Sequence, residues 1–128
     1  MSVRFSAPSG ALVAGLTVLL DYPEGQVDLP GAGGLSFPAG TISGVPSGST
    51  FSANDLTPAG TTHGHAVRIN IAGSGGSALT PGQIVRFKFN NCTGTSAPTA
   101  DAFLCTVLSA TDPFLNAVSG VRCFVVLG

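Results

Sequence analysis

Two imidazoles one residue apart, in His63-Gly64-His65, are the sharpest polar signal in the chain. In an extended strand residues i and i+2 share a face, so both rings could reach one ion, and Zn²⁺ fits the ligand type. Two ligands fall short of the three or four protein ligands of a zinc site, and the nearest carboxylate in sequence is Asp55. The plainer account, a polar start to the strand that follows, is the favoured one. Asp21, Glu24 and Asp28 surround one turn, and Asp112 and Asn116 share the last loop. Either group could offer oxygens to Ca²⁺, which takes about six to eight. Neither follows the spaced Asp/Asn/Gly calcium loop, and solvated turn acids explain both more simply. No cofactor is required by these residues; Ca²⁺ and Zn²⁺ are candidate ions only.

Nucleophilic chemistry finds less support. No Gly-x-Ser-x-Gly elbow occurs, and the serines lie in glycine turns, where they serve local hydrogen bonds. A thiol–imidazole pair needs an accessible thiolate, yet Cys105 and Cys123 sit in apolar runs. The chain is therefore read as not an enzyme. Stacking of sugars on flat aromatic rings is poorly served by a chain with no Trp and one Tyr, whose eight Phe mostly alternate with polar residues in the manner of a core. Glycan binding through the polar loops remains as an alternative.

The elements that must position these residues are strands. The stretch Leu79–Asn91 carries the plainest pattern: Thr80-Pro81-Gly82 turns the chain, then Val85, Phe87 and Phe89 alternate with Arg86, Lys88 and Asn90. Period two places apolar groups on one face and charge on the other. Val67, Ile69 and Ile71 repeat the pattern within 65–72, and Val3 and Phe5 within 3–7. In 11–22 one parity is wholly apolar and the other still holds Val13 and Leu19, which predicts a central strand covered on both faces, with Gly15 as a candidate bulge. Shorter strands are expected at 26–29, 35–37 and 41–45, a polar strand or loop at 50–56, and longer strands at 102–110 and 118–127, separated by turns such as Pro8-Ser9-Gly10 and Thr57-Pro58-Ala59-Gly60. Closely spaced strands without a long helix mean a single all-β domain over residues 1–128, an antiparallel β-sandwich or jelly roll.

Composition bounds the partners. Lys and Arg number 5, Asp and Glu 6, and charged residues are only 9% of the 128, against about 25% in typical domains. No basic patch exists to attract nucleic acid or anionic lipid, and the apolar run 11–20 is too short to insert in a membrane. The surface must be built from Ser, Thr, Asn and Gly, a habit of secreted and adhesive β domains. Edge strands on such a surface lack lysine protection, so an exposed edge or flat face is expected to be covered by a partner or by self-association. Three cysteines leave one thiol over. Cys105 shares parity with Phe103 and Val107, and Cys123 with Val121 and Val125, so both face inward and a Cys105–Cys123 bridge across the core is favoured. Cys92, at a strand end, makes Cys92–Cys105 the rival pair.

Two segments carry a family resemblance. Gly15-Leu16-Thr17-Val18-Leu19-Leu20-Asp21-Tyr22-Pro23 resembles the apolar strand and Tyr-Asp-Pro corner of cohesin-like modules, here with Asp and Tyr exchanged; Leu79–Phe89 resembles their later Phe-Lys strand. The closing Val118-Ser119-Gly120-Val121 with Cys123-Phe124-Val125 is similar to their last strand. The resemblance, to the cellulosome cohesin and carbohydrate-binding fold, implies a jelly-roll sandwich of about nine strands. It implies a non-catalytic extracellular protein-binding or cell-adhesion module with a protein partner of the dockerin kind, excised from a longer secreted or surface-anchored precursor. The alternatives are a carbohydrate-binding module, a weak metal site at His63 and His65, or a structural spacer of a surface protein.

Overall fold

Apolar side chains recurring at every second position leave the backbone one economical solution, which is to pair strands and bury the shared face. The computed structural model describes residues 1–23, 26–28, 40–55, 66–92, 94 and 98–127, with Asp28 and Asp55 described in backbone only. The expected strand at 35–37 and the turn at 57–60 lie outside these residues. The described residues form strands β1 (Ser2–Ser6), β2 (Gly15–Asp21), β3 (Val27–Asp28), β4 (Ile42–Ser43), β5 (Ser49–Asp55), β6 (Ala66–Gly73), β7 (Gly82–Phe87), β8 (Asn90–Asn91), β9 (Leu104–Thr111) and β10 (Arg122–Val126).

Two antiparallel sheets of four strands result, ordered β10-β1-β7-β4 and β5-β6-β2-β9, with β3 and β8 as a small separate pair. The fold is all-β and sandwich-like. Val3 and Phe5 from β1 and Val85 and Phe87 from β7 meet Leu16, Val18 and Leu20 from β2 and Val67, Ile69 and Ile71 from β6 in one core. Each of these was placed inward by parity alone. As anticipated, β2 is central, between β6 and β9. Its other face is half-covered rather than buried.

Three details depart from simple alternation. The strand expected from residue 11 begins only at Gly15. Before it the chain is irregular, so Leu12 is exposed while Val13 and Ala14 are buried; their backbone bonds run to Leu79 and Thr111 instead of a continuous ladder. In the β1–β7 pair the register skips Ile84, which lets Ile84 and Val85 both be buried. In the β2–β9 pair it skips Leu108, which is left exposed on an edge strand. An unpaired extra residue of this kind bends its strand and re-aims a side chain.

Phe89, expected inside β7, lies two residues beyond its end and is half-buried. Its ring sits 5.3 Å from Tyr22, 6.1 Å from Phe87 and 5.5 Å from Phe103, in tilted or edge-on geometry. Such offset arrangements are favoured by the ring quadrupole. This aromatic cluster closes the end of the sandwich where β2 stops and β9 starts.

Candidate interaction surfaces

Two rows of short side chains cross the outer face of the β5-β6-β2-β9 sheet at positions that alternate with the core, and the row beyond them holds Leu19 and the exposed Arg68. Register sets Ser52, Asn70, Thr17 and Ser109 side by side across all four strands, and Thr50, Ala72, Gly15 and Thr111 in the next row. Thr17 Oγ1 bonds Asn70 Oδ1 at 2.9 Å, and Asn70 Nδ2 donates to Ser52 Oγ at 3.4 Å. The two rows line a shallow depression of about 260 Å³. A side chain at Gly15 would meet Thr111 Oγ1, so the floor stays low only with glycine there. Neither row carries a charge or an aromatic ring. Tyr22, the sole tyrosine, is buried at the sandwich end.

At the opposite end from the aromatic cluster, the β9–β10 connection makes a tight tip. Asp112 Oδ1 accepts from the backbone N–H of Phe114 at 2.8 Å and of Asn116 at 2.9 Å, and Asn116 Nδ2 donates to Asp112 Oδ2 at 3.4 Å. The Leu115 N–H donates to the Asp112 carbonyl, and the Asp112 N–H to the Asn116 carbonyl. These bonds to the ionised carboxylate, from Asn116 first and then Phe114, hold the Asp112 pKa below its ordinary value. Leu115 is held at φ +67°, the only non-glycine residue at positive φ among those described. Leucine pays sterically for that conformation. Phe114 and Leu115 project from the tip 82% and 85% exposed. Pro8, Ala11, Leu12, Pro113, Phe114 and Val118 line an adjoining groove of about 480 Å³.

The candidate site residues fall as follows. His63 and His65 lie outside the described residues, as does Glu24, and the side chains of Asp28 and Asp55 are not described. Among the described residues no group of three or more His, Cys, Asp or Glu is placed to hold a metal ion. Asp112 and Asn116 are brought together, but the Asp112 carboxylate serves its own turn. Cys105 and Cys123 are bonded, with their Cα atoms 5.6 Å apart. The bridge ties β9, at the edge of one sheet, to β10, at the edge of the other. Cys92 is not part of it; its backbone N–H donates to the Gln26 carbonyl.

Sequence reasoning read Phe as core and so missed Phe114 and Leu115. The available signal was their position inside the turn cluster Asp112-Pro113…Asn116, where an apolar pair has no strand to bury it. Among the described residues no helix is long and apolar enough to cross a membrane. No family model matches the chain, and no curated protein or solved structure does either.

Proposed function

We propose that this domain is a non-catalytic protein-binding module of an extracellular or surface-anchored protein, cohesin-like in kind and jelly-roll in topology. The observation that carries the reading is the outer face of the β5-β6-β2-β9 sheet, with its two rows of short, uncharged side chains. A shallow depression floored by small residues lets another backbone approach closely. Side chains already ordered by the Thr17–Asn70–Ser52 ladder lose little further freedom on binding. With no ring presented there, stacking of sugars has no platform. The Cys105–Cys123 disulfide fits an oxidising compartment.

The test is calorimetric titration of the intact chain with dockerin-type helical pairs and with partners captured from the extracellular proteins of the source organism. Saturable protein binding is expected, weakened at least tenfold by Ala72→Arg with the melting temperature unchanged, since about 1.4 kcal/mol of lost contact is already tenfold. Retained affinity in Ala72→Arg, or binding on a glycan array without any protein partner, would remove this reading.

A further inference from the structure

The tip at residues 112–116 is a second surface, on different residues from the sheet face and independent of the reading given to it. Among the described residues, Leu104, Leu108, Phe124 and Val126 are exposed along strands, whereas Phe114 and Leu115 are adjacent in a turn and both more than four-fifths exposed. They do not hang on a loose loop. Asp112 binds the N–H groups of Phe114 and Asn116, and the flanking backbone is tied by the Thr111–Ala117 bridge and the bond from Val118 N–H to the Ala110 carbonyl. The groove's other wall is equally fixed. Gly120, at φ +80°, lies so close to Pro8 that a side chain there would strike the proline ring, which packs the 119–120 segment against the Pro8–Ala11 turn. A strained leucine kept in place by surrounding bonds marks sites where the conformation is used.

We propose that the tip and its groove form a self-association surface, with Phe114 and Leu115 of one copy seated in the groove of a second. The commitment to a second copy rests on two features. Protrusion and recess lie on one patch, and a two-fold contact requires a surface complementary to itself. The groove also carries no charge except Asp112, whose carboxylate is occupied by its own turn. Two copies of a chain with net charge −1 therefore meet without appreciable repulsion. The patch is small beside the roughly 800 Å² per partner of a standard interface, so the dimer is weak, with a dissociation constant on the order of 10–1,000 μM. Such an affinity acts where copies are held at high local concentration, as on a crowded surface.

Sedimentation velocity over a concentration series tests this. The unaltered chain should gain weight-average mass as concentration rises. Phe114→Ser should weaken association at least tenfold. Leu115→Gly should do the same while melting at the same or a higher temperature, because glycine is relaxed at positive φ; this separates loss of contact from loss of folding. Ala72→Arg, on the sheet face, should associate as the unaltered chain does. A strict monomer throughout the series overturns the proposal, as does association that survives both tip variants or is abolished by Ala72→Arg. Co-sedimentation of a monomeric chain with phosphatidylcholine vesicles, lost in Phe114→Ser, would assign the tip to a lipid surface and likewise overturn it.

Discussion

Phe89 and Phe114 stand at opposite ends of the same sandwich and show two ways of holding an aromatic ring outside a strand. Phe89 follows the end of β7 and is held mainly from other strands, by Tyr22 at the end of β2 and Phe103 at the start of β9, with Phe87 of β7 beside it. Phe114 is held locally, by hydrogen bonds that all fall within five residues, and it meets solvent. At the first end burial of apolar area does the stabilising; at the second a carboxylate sets the backbone and leaves the apolar area unspent. A ring that is core at one end is therefore a presented group at the other, although the residue type is the same.

The contrast can be broken most forcefully at the first end. Phe87, beneath Phe89, is 2% exposed, and Phe87→Ala is expected to destabilise by about 3–5 kcal/mol in denaturant unfolding, the range for truncating a buried phenylalanine. Lys88→Ala, on the exposed side, should stay within about 0.5 kcal/mol. Equal losses for the two would contradict the register of β7. Opening the Cys105–Cys123 bridge, by paired Cys→Ser substitution, comes next. The bond joins residues 18 apart, for which restriction of the unfolded chain is worth about 3 kcal/mol. The loss should appear as a lower denaturation midpoint; an unchanged midpoint would mean that packing of β9 against β10 alone holds the two edges.

Smaller effects sharpen the second end. Leu115→Gly should stabilise by about 1 kcal/mol through release of the left-handed strain, less whatever glycine gains in the unfolded chain. A clear loss would show that the leucine side chain already packs on its own domain. Asp112 governs the mildest effect. Its folded pKa lies below the ordinary value of 3.8, so its contribution to the tip is present above that value and is lost as pH falls through the lowered folded one. Amide resonances of Phe114 and Asn116 should therefore hold steady at neutral pH and shift together only in acid below about pH 3.8. An Asp112→Asn chain should lose that acid transition. A transition centred above the ordinary aspartate range would contradict the bonding described for the carboxylate.

Much of this molecule was legible residue by residue. Val3 and Phe5, the Leu16–Leu20 and Val67–Ile71 alternations, and Val85 with Phe87 all declared their inward faces, because a strand's period of two follows from its local backbone geometry. The inward parity of Cys105 and Cys123 was readable for the same reason, and it favoured the bridge that forms. What parity left open was that the bridge joins β9 and β10 at the edges of different sheets. Nor could alternation foretell the extra residues Ile84 and Leu108: each arises where two strands must pair with unequal lengths of chain, and the partner's length is not written in the strand itself. Gly15 was suspected of a bulge and instead starts β2 and floors the polar depression. The polar ladder likewise needed the register of four strands before Ser52, Asn70, Thr17 and Ser109 became neighbours. The sequence by itself determined which side chains turn inward and where the chain bends, because both follow from spacing and from the local preferences of Gly, Pro, Asn and Asp. Only the tertiary structure decided which outward residues stand together, because that adjacency comes from strands distant in sequence being brought to one sheet.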